Sequence, residues 1–327
     1  MHPWNEALLQ RLTHDPAHLP HALLLSGSPG IGKQALAFEM ARRLLCCAPT
    51  ATATATGAAC GVCQSCHWFN QGTHPDFRFL ERTINEDTGK LRADIQIDQV
   101  RDLVGFYSLT AHQHGWRVAV IAPAERMNAA AANGLLKTLE EPPPRSLLIL
   151  ISHHPRRLLA TVRSRCQQVA VPLPPREEAL AWLATQSIAM PQAADLLDEA
   201  GGAPLEALAL FSDTARGERV ARCVAALAQA RIEALLDLAA IKDSVVETHG
   251  WLRRWVHDLI SQRQVAQVYF FPAHAQALMK LAARADLAKL LALQARLDAE
   301  TRILLHPLNT QLLMEQWFID YVGCFNA

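Results

Sequence analysis

Gly27-Ser28-Pro29-Gly30-Ile31-Gly32-Lys33, followed by Gln34, decides how this chain is read. The stretch follows the phosphate-binding pattern G-x-x-x-x-G-K-[ST] through its lysine and departs from it at the last position. In that pattern the glycines let backbone N–H groups wrap phosphate oxygens, the lysine adds a point charge, and the closing hydroxyl holds Mg²⁺. Gln34 brings an amide in place of that hydroxyl. Upstream, His21-Ala22-Leu23-Leu24-Leu25-Ser26 is a strand-sized apolar run; downstream, Leu36, Met40 and Leu44 recur at helical spacing. Strand, loop and helix in that order separate a phosphate site from a Gly/Pro turn with a surface lysine. Gly27, Gly30, Gly32 and Lys33 are therefore candidate cofactor-binding residues. The loop is shaped for nucleotide and poorly fitted to hydrolyse it, and the sequence leaves open whether ATP or ADP binds.

Two further buried-strand candidates are Arg117-Val118-Ala119-Val120-Ile121 and Leu147-Leu148-Ile149-Leu150-Ile151, each flanked by helical stretches. Alternation of this kind predicts an α/β module, a parallel sheet with helices on both faces. Val171-Pro172-Leu173-Pro174-Pro175 breaks it, because clustered prolines fit neither a helix interior nor a central strand. The expected domains are 1–171, then a small helical segment at 172–212, then an all-helical domain at 213–327. Abundant Ala and Leu with few aromatics favour helix overall. Lys+Arg and Asp+Glu balance at 31 each, so no global positive field draws the chain onto nucleic acid. Met1 to Leu12 has no apolar stretch of signal-peptide length, and the longest aliphatic runs are strand-sized, so a soluble, cytoplasmic protein is expected.

Five of the eight cysteines lie between Cys46 and Cys66. In a reducing compartment such crowding points to metal more than to disulfides. Cys60, Cys63 and Cys66 form a tight knuckle, and Cys46, at the end of the preceding helix, is the preferred fourth ligand across 13 intervening residues. Four thiolates make the closed tetrahedral site of structural Zn²⁺. Cys47 is the alternative fourth ligand, and His67 replacing one cysteine is a smaller variant. The inserted zinc module spans about residues 46–66.

An active P-loop ATPase also needs a carboxylate at the end of a neighbouring strand. Here Val118 to Ile121 runs into Ala122-Pro123-Ala124, with no acid at the strand tip. Glu125 lies a few residues on and is expected at the start of a helix, a favourable charge near the N-terminal dipole. Two separate losses, at Gln34 and at Ala122-Pro123, both remove metal support.

Further motifs are Gly72-Thr73-His74-Pro75-Asp76, Ala132-Asn133-Gly134-Leu135-Leu136-Lys137-Thr138-Leu139-Glu140-Glu141-Pro142-Pro143, Leu158-Leu159-Ala160-Thr161-Val162-Arg163-Ser164-Arg165-Cys166 and His306-Pro307-Leu308-Asn309-Thr310-Gln311-Leu312-Leu313. With the P-loop and the cysteines they resemble the bacterial clamp-loader subunits of DNA polymerase III, a family of AAA+ proteins. The likeness is close from Pro3 to about Val171 and architectural beyond. It implies an AAA+ module, a small helical lid at 172–212 and a helical collar at 213–327 that joins subunits into a ring. It further implies that the arginine of Ser164-Arg165-Cys166 reaches the ATP site of a neighbouring subunit, a task for which a rigid guanidinium with paired donors is suited. Active members carry a nucleotide-sensing arginine after a Gly-Ser-Leu turn, whereas Gly202-Ala203-Pro204 is followed here by Leu205.

The expected function is thus that of a non-hydrolysing ring subunit. It would brace the assembly with subunits of the delta and gamma/tau types and lend Arg165 to an adjacent motor while the sliding clamp is loaded onto primed DNA. Two rivals stand beside it: an active ATPase that recruits Glu125, and a zinc-knuckle nucleic-acid module whose P-loop is a relic.

Overall fold

The computed structural model describes residues 1–15, 18–47, 58–86, 89, 91–108, 115–239, 245–300 and 309–325. The Ala/Thr tract from Thr50 to Gly57 and the residues His306, Pro307 and Leu308 lie outside them. The chain divides into two compact units, residues 1–178 and 179–327.

The first unit opens with α1 (Glu6–Thr13), β1 (Ala22–Ser26), α2 (Lys33–Leu45), α3 (Gln64–Asn70) and β2 (Phe77–Leu80). It continues through α4 (Ile97–Ser108), β3 (Arg117–Ile121), α5 (Ala129–Glu140), β4 (Ser146–Ser152), the one-turn α6 (Ala160–Arg163) and β5 (Gln167–Ala170). The strands form one parallel sheet in the order β2-β3-β4-β1-β5. β1 lies inside the sheet, with Ala22 opposite Leu148 and Leu25 opposite Ile151 on β4. Its residues Ala22 to Leu25 are buried, as are all of β3 and β4, which is the unbroken apolar pattern that parallel strands covered on both faces require. On one face Leu24, Ile121 and Leu150 join Val100 and Leu103 of α4 and Leu135 and Leu139 of α5 in a single apolar cluster. The strand period of two turns Leu23, Leu25, Val120 and Ile149 to the opposite face, and α2 packs there against β3 and β4.

The sequence reading found the three central strands and missed β2 and β5. Both are four-residue edges. β5 buries only Val169, and β2 carries the exposed Arg78, so neither shows a run of apolar residues. Such edges acquire strand structure from their neighbour's hydrogen bonds more than from their own composition.

The second unit contains α7 (Arg176–Thr185, which enters it at Ala179), α8 (Gln192–Glu199), α9 (Pro204–Ser212), α10 (Thr214–Gln229) and α11 (Ile232–Ala239). It then runs through α12 (Val245–Val265), α13 (Ala275–Arg284), α14 (Leu287–Glu300) and α15 (Thr310–Gly323). One apolar core draws Leu183, Leu197 and Leu210 together with Leu227, Trp255, Leu293, Trp317 and Phe318. Two of its buried polar aromatics pair with each other: Trp255 Nε1 donates to the Tyr321 hydroxyl at 2.8 Å, which donates to the Leu227 carbonyl at 2.8 Å. Asp258, fully buried, accepts the N–H groups of Tyr269, Phe270 and Phe271 at 3.0, 2.9 and 2.9 Å and so fixes the chain after α12. No helix among the described residues is long and apolar enough to cross a membrane.

His249 on α12 is buried and donates from Nε2 to the Leu297 carbonyl of α14 at 2.9 Å. Burial lowers its pKa below the ordinary 6.5, with Arg253 adding to the effect and the Leu297 carbonyl, Glu300 and Asp298 opposing it. The unfolded chain therefore binds the extra proton first as pH falls, and the stability that neutral His249 provides is full above about 6.5 and lost below it. Thermal melting from pH 8 to pH 5 should show acid destabilisation of the helical unit, with a shallower slope in His249→Gln.

Candidate functional site

The P-loop sits at the carboxyl end of β1, where that strand passes between β4 and β5 and the chain crosses to opposite sides of the sheet. Open α/β sheets bind ligands at such switch points. Gly27 follows Ser26 directly, and a Cβ there would meet the Val171 carbonyl oxygen at 2.6 Å and Ile31 Cδ1 at 2.8 Å. Gly30 and Gly32 have φ of 73° and 83°, and Gly32 is the left-handed N-cap of α2. The loop thus turns its backbone sharply to start α2 at Lys33, leaving the helix's first N–H groups and positive dipole end at the loop.

Lys33 is 3% exposed. Its Nζ donates to the carbonyls of Gly27 at 2.8 Å and Ser28 at 2.5 Å, so the ammonium holds the loop from within. Burial pushes its pKa down to about 8, while the carboxylate of Glu125 works in the opposite direction. Sequence reasoning did not single out the N-terminal segment, which covers this loop. The Ile31 carbonyl accepts from Trp4 Nε1 at 3.0 Å and Asn5 Nδ2 at 2.9 Å. His2 stacks on Trp4 with 4.8 Å between ring centroids, and its ring lies against Gly32. The only signal was an aromatic and an amide near the terminus, which without the fold have no target.

Glu125 starts a helical turn as expected, but a 3₁₀ turn ahead of α5. Asn128 takes the N-cap of α5, its side chain accepting the Ala131 N–H at 2.7 Å, as short polar side chains do at this position. Glu125 is left in a 3₁₀ turn, Ala124–Arg126, where Oε1 accepts the His153 N–H at 3.0 Å and Oε2 is buried with no hydrogen-bond partner among the described residues. The carboxylate therefore belongs to the environment of Lys33 and to the end of β4 as well as to its own 3₁₀ turn.

Cys46 is the C-cap of α2, and Cys63 is the N-cap of α3. The Sγ atoms of Cys46, Cys60, Cys63 and Cys66 all lie within 4.8 Å of one another, and the Cys46–Cys63 and Cys60–Cys66 pairs are 4.0 Å apart. A tetrahedral zinc with bonds of about 2.3 Å spaces its sulfurs by roughly 3.8 Å. All four thiols are free of disulfides. Backbone N–H groups of Cys60, Cys63 and Cys66 point at the sulfurs of Cys46, Cys60 and Cys63 at 3.3, 3.3 and 3.4 Å, as they do toward thiolates. Burial opposes ionisation of Cys63, yet N–H groups of Cys66 and Cys47 and the thiols of Cys60 and Cys66 hold its pKa down to about 6. The donor set fits a four-sulfur metal site.

The Gly72-Thr73-His74-Pro75-Asp76 motif gains a physical role here. His74 and Ser65 are buried, with Nε2 2.7 Å from the Ser65 hydroxyl, which donates to the Leu45 carbonyl at 2.5 Å. Nδ1 accepts the backbone N–H of Asp76 at 3.0 Å, so the proton resides on Nε2 and the ring donates to Ser65. With that tautomer the imidazole cannot take a proton from the serine, so the trio is a strut and no hydrolytic triad. It ties the end of α2 and the knuckle helix α3 to the turn before β2.

Arg165 follows α6 with its side chain 37% exposed. Nη2 pairs with Glu140 Oε1 at 2.6 Å, and Nη1 donates to the Thr161 carbonyl at 3.0 Å. In the second unit, Gly201 and Gly202 take φ of 65° and 82°, and Pro204 occupies the first turn of α9. Nearer the sheet, Arg126 is held below its usual pKa, first by burial and then by Arg82 and by Arg157.

A parallel sheet in this order, with a P-loop between β1 and the next helix, is an AAA+-type P-loop module carrying a largely helical second part. Residues 4–174 match the family model described as DNA polymerase III, delta subunit, and residues 212–322 match that of its C-terminal part. The delta' subunit of Pseudomonas aeruginosa is 45% identical over 67% of this chain and 64% of its own length. That of Yersinia pestis is 33% identical over 81% of this chain and 78% of its own. The chain belongs to the DNA polymerase III delta' family. It spans between about half and two thirds of the length of the first curated relatives it matches. Among solved structures, a DNA polymerase III gamma subunit-related protein of Thermotoga maritima is 17% identical with a TM-score of 0.40, covering 98% of this chain and all of its own.

The glycine contacts make a graded prediction. Gly27→Ala meets a backbone carbonyl that cannot move without disturbing the end of β5. Gly32→Ala meets the His2 ring, which can swing aside, leaving a left-handed cost of about 1–2 kcal/mol. Urea denaturation should show the larger loss for Gly27→Ala, and an equal or reversed order would mean that the Val171 contact yields.

Proposed function

We propose that this chain is a clamp-loader subunit of the DNA polymerase III holoenzyme that does not hydrolyse ATP itself. In this reading it assembles with subunits of the delta and gamma/tau types into a ring. There it supplies Arg165 to the ATP site of a neighbour while the ring loads the sliding clamp onto primer-template DNA, in the cytoplasm at replication forks. The observation that carries the reading is the contrast between two cations of the first unit: Lys33 is buried and bonded to its own loop, whereas Arg165 is pinned yet accessible. Gln34 and Ala122-Pro123 support it, since a P-loop without a hydroxyl and a strand-end acid has lost both supports for Mg²⁺. Gly27, Gly30, Gly32 and Lys33 keep the form of a nucleotide loop, and in this reading any ATP or ADP they bind is structural.

Cys46, Cys60, Cys63 and Cys66 hold Zn²⁺ in this reading. A saturated four-thiolate zinc has no open position for chemistry and acts as a cross-link between α2 and α3. The purified chain should contain about one zinc per molecule by elemental analysis, and Cys63→Ser should lose the metal and lower the melting temperature.

The decisive experiment reconstitutes the ring with Arg165→Ala. Ring assembly by gel filtration should be unchanged while DNA-stimulated ATPase falls by about tenfold or more, arginine fingers being worth roughly 10³ to 10⁵ at a single site. Unchanged ATPase would exclude the finger role.

A second reading, in which the chain is itself an ATPase, draws on one observation: the unpartnered Glu125 Oε2 in the electrostatic surroundings of Lys33. Magnesium-dependent turnover by the isolated chain, abolished in both Lys33→Ala and Glu125→Gln, would favour it.

A further inference from the structure

We infer that Glu140 is the positioning residue that aims Arg165, an inference that rests on the reading of Arg165 as a finger. The two residues come from separate elements of the first unit, the last residue of α5 and the segment after α6, and these elements pack against each other. Glu140 takes one end of the guanidinium, Nη2 to Oε1 at 2.6 Å, and the Thr161 carbonyl takes the other, Nη1 at 3.0 Å. Bonds at two different nitrogens fix both the position and the plane of a group that otherwise swings on a long, rotamer-rich chain. Of its five N–H donors two are spent inward, which leaves three for a phosphate.

Other arginine pairs of the unit show what is special about this one. The side chain of Arg43, held by Glu6 and Glu39, is 7% exposed and serves packing. The Arg101–Asp98 pair is 70% and 81% exposed and is a neighbour pair along one helix. Arg165 and Glu140, at 37% and 50%, combine two elements, a backbone anchor and an open edge. Glu140 also breaks a local rule: a carboxylate at the C-terminal end of a helix opposes the dipole. Arg165 offsets that conflict by bringing a cation to the negative end of α5. Exposed ion pairs stabilise little, so the pair contributes orientation more than stability, and it can loosen when a triphosphate offers stronger bonds.

Preorganisation of this kind acts on the chemical step, since a misplaced group costs rate more than binding. The test uses the complete reconstituted ring with Glu140→Ala, Glu140→Gln and Arg165→Ala, reading DNA-stimulated ATPase as kcat and KM and following the melting of each variant chain. Glu140→Ala should lower kcat by about tenfold with KM within about twofold, and its melting temperature should match that of the wild type. Glu140→Gln, which keeps an oxygen for Nη2, should recover most of the rate. If Arg165→Ala is impaired and Glu140→Ala runs at or above the wild-type rate, positioning is wrong and the finger stands. If Glu140→Ala loses rate only together with melting temperature, or glutamine fails to rescue, the role is structural and the inference falls. If Arg165→Ala itself has no effect, the finger reading fails and takes this inference with it.

Discussion

The close approach of Gly27 to the Val171 carbonyl is the constraint on which the first unit depends. It joins the carboxyl end of β1 to the segment that follows the edge strand β5, where the Ser26 carbonyl also accepts the Val171 N–H at 2.8 Å. A side chain at residue 27 would force these backbones apart and unseat the loop. With glycine there, β1 can lie buried between β4 and β5, and the P-loop emerges where the sheet's connections diverge. The position of Lys33, the approach of Ile31 to Trp4 and Asn5, and the start of α2 all follow from that exit angle.

α2 then carries the constraint outward. Its N-terminus is the phosphate loop, its apolar face covers β3 and β4, and its C-terminus presents Cys46 to the knuckle. One helix thereby links the P-loop to the cysteine cluster. The Ser65–His74 strut closes the circuit through the Leu45 carbonyl at the end of α2 and the Asp76 N–H before β2. Buried hydrogen bonds of this sort are costly to leave half-made, and they hold the knuckle in register with the sheet.

Much of the first unit was legible in its residues because the signals were local. The phosphate loop needs glycines at fixed spacing, the central strands need unbroken apolar runs, and the knuckle needs three cysteines two residues apart. What escaped was set by distant partners. β2 and β5 have too little apolar surface to announce themselves. Glu125 does begin a helical turn, but nothing in the sequence says that this turn is a short 3₁₀ one and that Asn128, three residues on, caps the α-helix that follows. His2, Trp4 and Asn5 have a meaning only once Ile31 and Gly32 are brought beside them, some 26 to 30 positions away along the chain.

The sequence by itself determined the chemistry on offer: a glycine loop with one lysine, an amide where a hydroxyl would serve magnesium, four candidate thiols and an arginine in a family motif. Tertiary structure decided which of these groups face each other. It turned Lys33 inward onto its own loop, gathered Cys46 with the knuckle sulfurs, and set Glu140 against Arg165 across 25 residues of chain. The reason is one of range. Backbone preferences and apolar periodicity act over a few residues and can be read in order, whereas the pairing of polar groups depends on where a packed core carries the ends of its strands and helices.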